Sequence, residues 1–319
     1  MNQTRLDDAQ FVKALSQNLE SCVLGKSREI RLLLTALLAG GHVLLEDVPG
    51  TGKTVLVKAL ARSISGQFRR IQCNPDLLPT DITGVSIYHP KEERFVFRPG
   101  PVMCNVLLAD EINRATTKTQ SALLEAMEER AVTVDGESYP LPRPFLLLAT
   151  QNPIEFEGTY TLPEAQLDRF MLRLSLGYPD ERSELEMAQR QTFRHPLDSI
   201  SPVVTIDQLL EMQEYVRTLH IDEAVAEYGV RLARQTREHP GILLGASPRA
   251  TIALIDAAKA FAFVQGRDYV IPDDIKELAP HVLLHRLVLH PEARLGGMSK
   301  ESILDDILAR LKVPVRVAK

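Results

Sequence analysis

The residues Pro49-Gly50-Thr51-Gly52-Lys53-Thr54 have the types and spacing of a loop that wraps phosphate. A glycine-rich turn lets successive backbone N–H groups converge on phosphate oxygens, and a helix starting at its end adds a favourable dipole. In such a loop Lys53 reaches the β- and γ-phosphates, and the Thr54 hydroxyl coordinates Mg²⁺. The pattern Gly-x-x-x-x-Gly-Lys-Ser/Thr is met except at its first position, where Asp47 stands. Aspartate adopts left-handed backbone angles better than most residues. Its charge beside a polyphosphate is tolerable only if the carboxylate points away.

Asp110-Glu111 follows the apolar run Val106-Leu107-Leu108-Ala109, which places both acids at the tip of a buried strand. Adjacent side chains on a strand diverge, so the two acids can take two jobs. Asp110 suits a Mg²⁺ partner. Glu111 would hold and polarise an attacking water. A transferase or a GTPase would not need that second acid, and no Asn-Lys-x-Asp run that reads guanine occurs. The expected reaction is therefore ATP hydrolysis. Asn152 ends another apolar strand and could bond the water or the γ-phosphate, although an Asn there is by itself a turn former. Arginine stabilises the charge spread over a transferring phosphoryl group. The candidates are Arg169, in Leu167-Asp168-Arg169-Phe170, and Arg249, in Ser247-Pro248-Arg249-Ala250. From spacing alone, a salt-bridged surface arginine is the favoured reading of each.

Several elements must position these groups. A short strand at 42–46 leads into the glycine loop, and a helix over 54–64 leaves it, which is half of a βαβ unit. Further apolar runs at 105–109, 145–150 and 172–176 predict strands, with a helix at 164–170 before the last. Helical spacing predicts two more helices at 5–20 and 27–39. Strands alternating with helices indicate an α/β fold with a mostly parallel sheet, which binds ligands beyond the carboxyl ends of its strands. Residues 84–99 and 131–141 predict two β-hairpins, the second turning at Asp135-Gly136. After Tyr178-Pro179-Asp180 the pattern becomes helical, over 206–219, 222–238, 248–265, 273–289 and 300–311, with Ser247-Pro248 as a start signal. The expected organisation is an α/β nucleotide-binding domain with two hairpin inserts at 1–190 and an all-α lid at 204–319, joined by a linker.

Composition fits this reading. The 319 residues are 45% hydrophobic and 25% charged, as in a soluble globular protein. A net charge of −5 argues against a broad nucleic-acid footprint. Cys22, Cys73 and Cys104 are far apart with no Cys-x-x-Cys pair, so buried reduced thiols are expected rather than disulfides or zinc. The eight histidines show no metal-ligand spacing. The polar, acidic N-terminus is no signal peptide. The longest apolar stretch, from Leu32, breaks at Gly40-Gly41-His42, short of the ~20 residues a bilayer span needs. A cytoplasmic protein is expected.

With these residues in place, the chain resembles the MoxR group of AAA+ ATPases. The resemblance is carried by Gly41-His42-Val43-Leu44-Leu45-Glu46 with Pro49 to Thr54, by Ala109 to Ala115, by Ala149-Thr150-Gln151-Asn152-Pro153, by Leu162 to Phe170 and by Ser247 to Ala250. It covers nearly the whole chain, in the family's order, and departs from the generic AAA+ loop at Asp47. It implies Walker A at Lys53 and Thr54, and Walker B at Asp110 and Glu111. It makes Asn152 sensor 1, Arg169 the arginine finger and Arg249 the sensor 2 arginine. The hairpins match the helix-2 insert and the pre-sensor-1 hairpin. It further implies ring-shaped homo-oligomers, usually hexamers, in which Arg169 acts on a neighbour's nucleotide. Chaperone-like remodelling, often with partners carrying von Willebrand factor A domains, is implied too. Two other functions stay open: a nucleotide-gated scaffold with slow hydrolysis, and a DNA-associated AAA+ motor, which the acidic charge weakens.

Overall fold

The computed structural model describes residues 2–48, 50–91, 93–152, 159–190 and 196–314. Helices α1 (Asn2–Cys22) and α2 (Ser27–Ala39) precede strand β1 (Val43–Glu46), which runs through the phosphate loop into α3 (Lys53–Ser63). Strand β2 (Phe68–Gln72) follows, then α4 (Pro79–Thr83) and the hairpin β3 (Gly84–His89) and β4 (Arg94–Pro99). Strand β5 (Val106–Asp110) leads to α5 (Thr117–Glu129), the hairpin β6 (Ala131–Val134) and β7 (Glu137–Pro140), and strand β8 (Leu146–Gln151). The short α6 (Glu164–Leu167), β9 (Leu172–Leu174) and α7 (Glu181–Arg190) complete this half.

The five sheet strands lie in the order β2-β5-β8-β1-β9, all parallel. Their register aligns Gln72 with Asp110, and Leu45 and Glu46 with Thr150 and Gln151. The polar strand ends therefore share one edge. The inner strands are continuous apolar runs because both faces are covered. Ile71, Leu107 and Leu147 pack with α5 on one face, whereas Leu108 and Leu148 join α1, α2 and α3 on the other. Strand β2 is different. As an edge strand it keeps only Ile71 buried, and its run Phe-Arg-Arg-Ile-Gln lacks the apolar signature by which its neighbours are legible. It was not expected from the sequence, and neither was α5.

Helix α2 is buried on nearly every side, from Ile30 to Leu38. A helix that is apolar all round belongs in a core rather than at a surface. It packs against α1 and β9 and against two helices of the second half, α8 (Ile206–Arg217) and α10 (Pro248–Val264). The second half also contains α9 (Glu223–Glu238) before β10 (Ile242–Leu244), and α11 (Pro272–Leu283), β11 (Val288–Leu289), α12 (Pro291–Leu295) and α13 (Lys300–Arg310) after α10. Ser247 caps α10 by accepting a bond from the Ala250 N–H at 3.1 Å.

Among the boundaries that differ from expectation, three have a visible cause or bear on the site. The helix expected over 273–289 stops at Leu283, because a tight turn at Leu284–Arg286 swings His285 and Arg286 onto the carbonyl of Phe170. Burial of that histidine lowers its pKa, so the ring stays neutral. The strand expected to reach residue 176 ends at Leu174, since the N–H groups of Leu176 and Gly177 turn to Asp47. The helix expected over 164–170 is only Glu164–Leu167.

Both expected hairpins form, the second turning on Asp135 and Gly136 at positive φ. The two inserts meet where Phe97 stacks on Tyr139 at 4.0 Å. Cys22, Cys73 and Cys104 are buried free thiols. Among the described residues no helix is long and apolar enough to cross a membrane.

Candidate nucleotide site

The phosphate loop closes a cleft of about 320 Å³ at the carboxyl ends of β1, β5 and β8. Gly50 and Gly52 hold φ of +87° and +86°. No atom lies within 4 Å of a Cβ built at either, so glycine is required there by backbone conformation and not by space. Gly52 is the N-cap of α3, which leaves the first N–H groups of that helix facing the cleft. Lys53 Nζ rests on the Val48 carbonyl at 2.7 Å and the Asp47 carbonyl at 3.4 Å. Thr51 and Thr54 line the same cleft. Pro49 lies outside the described residues.

Asp47 resolves the anomaly in the loop. Its residue borders the cleft, but its side chain is buried and its carboxylate is taken up by donors of the protein itself. One oxygen accepts from the N–H of Leu176 at 2.7 Å, the N–H of Gly177 at 3.1 Å and the Thr51 hydroxyl at 3.2 Å. The carboxylate thereby pins the end of β9 to the loop. Replacing Asp47 with Ala leaves a buried N–H without a partner, so we expect a loss of about 2–4 kcal/mol in urea unfolding. A loss under about 0.5 kcal/mol would mean that these bonds are dispensable.

The two acids occupy different geometries. Asp110 ends β5, with Oδ1 accepting from the Thr150 hydroxyl at 2.6 Å and Oδ2 held by Arg70 Nη2 at 2.5 Å. Glu111 lies beyond the strand, at φ 56° and ψ 51°. The divergence of the two side chains therefore arises from a left-handed turn and not from the strand pleat, as the sequence suggested. Such a conformation in a non-glycine residue costs on the order of 1–3 kcal/mol and needs support from its surroundings. The Glu111 N–H donates to Thr150 Oγ1 at 2.8 Å, and its carbonyl accepts from the Arg114 N–H at 2.8 Å. Its carboxylate accepts from Gln72 Nε2 at 3.0 Å and Arg114 Nη1 at 3.1 Å. Asn152 lines the same cleft. The Cys73 pKa is pushed up to about 12 by burial and by the charges of Asp110 and Glu111, so it stays a thiol.

The chemistry of the donors fits a hard cation that arrives with phosphate. Thr54 offers a hydroxyl and Asp110 a carboxylate. Mg²⁺ is usually held by one or two such groups together with substrate phosphates and water. Among the described residues no group of three or more His, Cys, Asp or Glu could hold a metal by itself.

The arginines gather elsewhere. Arg169 Nε is ion-paired with Glu128 Oε2 at 2.8 Å, and Arg249 Nη2 donates to Oε1 of the same carboxylate. Both line a second cleft of about 220 Å³ with Arg130, Asp168 and Arg286, and neither lines the phosphate cleft. Both arginines are salt-bridged, as spacing alone favours, and a single carboxylate brings the two together. Behind them, Arg286 braces the segment from the lid. It donates to Asp168 Oδ1 at 2.7 Å, the Asp168 carbonyl at 2.9 Å and the Phe170 carbonyl at 2.7 Å. Ser247 Oγ adds a bond to Asp168 at 2.9 Å. Arg70, Gln72, Glu128 and Arg286 were all missed in the sequence. The first two lie on the illegible strand, and Glu128 lies in the last turn of α5, which was not expected.

A parallel sheet in this strand order, a phosphate loop between β1 and α3, and a helical lid define a P-loop AAA+ ATPase. The family model described as the ATPase family associated with various cellular activities matches residues 42–172, and an AAA lid domain matches 234–307. The chain is 53% identical to YeaC of Bacillus subtilis, over 94% of each protein. It is 45% identical to Chaperone MoxR1 of Mycobacterium tuberculosis, over 92% of this chain and 79% of that one. A crystal structure from Cytophaga hutchinsonii, described as a candidate ATPase, superposes with a TM-score of 0.91 at 41% identity, over 98% of both chains. The chain belongs to the MoxR family of AAA+ ATPases.

Proposed function

We propose that the chain binds Mg·ATP in the phosphate cleft and hydrolyses it to drive remodelling of partner proteins. The observation that carries this reading is the convergence of Lys53, Thr54, Asp110, Glu111 and Asn152 on one cleft at the strand ends. Lys53 leaves its two carbonyl partners for the β- and γ-phosphates, and the N–H groups of the loop and of the first turn of α3 surround the oxygens. Thr54 and Asp110 would hold Mg²⁺, which neutralises charge on the β- and γ-phosphates. Glu111 takes a proton from a water as its oxygen attacks the γ-phosphorus. The bond to the bridging oxygen breaks, leaving ADP and inorganic phosphate. Asn152 orients the water.

Arg169 and Arg249 complete the site from a neighbouring subunit. Their position in a second cleft, joined through Glu128, supports action in trans, and a ring supplies it. The proposed assembly is a homo-hexamer in the cytoplasm, with the α/β domain at 1–190 and the lid at 204–319. The family matches at 42–172 and 234–307 support that division. The chaperone name of the mycobacterial relative supports remodelling as the output, with a von Willebrand factor A domain protein as the proposed partner. Lys53→Ala tests the core of the proposal by calorimetry with Mg·ATP. Losing the ammonium that faces the phosphates is expected to weaken binding at least about tenfold. Equal heats from both proteins would remove the phosphate-loop reading.

A further inference from the structure

One cation in the phosphate cleft has no assigned part. Arg70 lines the cleft beside the loop and the acids. It stands on β2 opposite Leu108, two positions before the Gln72–Asp110 pair. Arg70 and Gln72 therefore share a face of the strand, and the Arg70 side chain reaches along it to the carboxylate. Both Nε, at 3.2 Å, and Nη2, at 2.5 Å, point to Asp110 Oδ2. The other oxygen of Asp110 already takes the Thr150 hydroxyl. Oδ2 is thus the oxygen left for a metal, and it is the one the guanidinium covers.

We propose that Arg70 is a placeholder that competes with the metal: it holds Asp110 Oδ2 in the nucleotide-free protein and is displaced when Mg²⁺ arrives with ATP. This rests on the reading of Asp110 as the metal's carboxylate. Two cations cannot share one carboxylate oxygen without strong repulsion, so occupancy by the guanidinium and by the metal is exclusive. Arg70 can leave because its side chain is 44% exposed, with solvent or the phosphates of the incoming nucleotide as new partners. In the closed arrangement its Nη2 also donates to Gln72 Oε1 at 2.6 Å, while Gln72 Nε2 donates to Glu111 at 3.0 Å. One guanidinium thus bonds the metal's acid directly and reaches the water's acid through a single amide. Displacement by the metal releases Gln72 from Arg70 in the same step. The protein holds its acids in place without a free carboxylate pair in the cleft, and the metal takes Asp110 only by competing for it.

The test is a titration of the full chain with Mn²⁺ as a stand-in for Mg²⁺, at a fixed excess of a non-hydrolysable ATP analogue. The free-ion electron paramagnetic resonance signal is followed, with the nucleotide alone as blank. Arg70→Met keeps the length of the side chain and removes the competitor. Its Mn²⁺ dissociation constant is expected to fall about tenfold, the size of a lost charge-assisted hydrogen bond. Arg70→Lys keeps a cation and is expected to return most of the way to the unsubstituted value. Asp110→Asn is expected to lose tight Mn²⁺ binding whichever residue stands at 70. Unchanged or weaker Mn²⁺ binding by Arg70→Met, with Asp110→Asn still defective, overturns the role of Arg70 and leaves the metal reading standing. Unimpaired Mn²⁺ binding by Asp110→Asn overturns the metal reading and the proposal with it.

Discussion

Glu111→Gln is expected to retain Mg·ATP while losing turnover by a factor of about 10²–10⁴, the range that a positioned general base contributes. The substitution is nearly isosteric. It leaves the left-handed backbone at Glu111 and its bond to Thr150 in place, and a side-chain amide can still meet Gln72. What disappears is the ability to accept the proton that water loses as it attacks phosphorus. Binding and chemistry should therefore separate cleanly. Calorimetry should report an affinity within a few-fold of the unsubstituted protein, while phosphate release under saturating Mg·ATP nearly stops. Retention of turnover within about fivefold would take Glu111 out of the reaction. Loss of both binding and turnover would instead point to damage at the strained turn, which unfolding measurements would report independently.

Legibility in the sequence follows burial. Strands β1, β5 and β8 carry apolar runs because both of their faces are covered, and their polar ends stand out for the same reason. Asp110, Glu111 and Asn152 are visible as abrupt stops in Val-Leu-Leu-Ala and Leu-Leu-Leu-Ala-Thr-Gln. The phosphate loop is visible because backbone conformation restricts the choice of residue at Gly50 and Gly52. The edge strand β2 offers neither signal. Only one of its five residues is buried, so its fold depends on pairing with β5 and leaves no period behind. The consequence for the site is specific. Arg70 and Gln72, the partners of the two acids, lie on that strand, and Glu128, the partner of both arginines, lies in the last turn of the unexpected helix α5. The candidate reactive groups are of types that the proposed chemistry leaves few alternatives for, whereas their counter-charges are set by tertiary pairing. Sequence spacing therefore exposes Lys53, Asp110 and Glu111, while their resting partners become visible only once the strands are placed side by side. Asp47 belongs to the same class. Its identity raises a question that the bonds from Leu176 and Gly177 answer.

Arg169→Ala carries the largest expected effect: a fall of about 10³–10⁵ in turnover at saturating ATP, as for other arginines that neutralise a transferring phosphoryl group. The geometry distinguishes two routes to such a loss. If Arg169 served the nucleotide of its own subunit, it would have to leave Glu128 and the brace that Arg286 and Ser247 place on Asp168. Those bonds hold the segment to the lid, on a cleft separate from the phosphate loop. If it serves a neighbour, the brace can stay intact and only the guanidinium need exchange the Glu128 carboxylate for a phosphate. Its guanidinium is ion-paired with Glu128, and its side chain is 30% exposed. Mixing decides between the routes. Arg169→Ala keeps its own nucleotide site, and Lys53→Ala keeps its own arginine, so each alone is expected to be inactive. In randomly mixed rings at equal amounts, about a quarter of the interfaces pair an intact phosphate loop with an intact Arg169 from the next subunit. Activity should rise toward that fraction on mixing. Two inactive proteins that stay inactive together, in rings shown to exchange subunits, would place Arg169 at its own site. A fully active Arg169→Ala protein would remove it from the reaction.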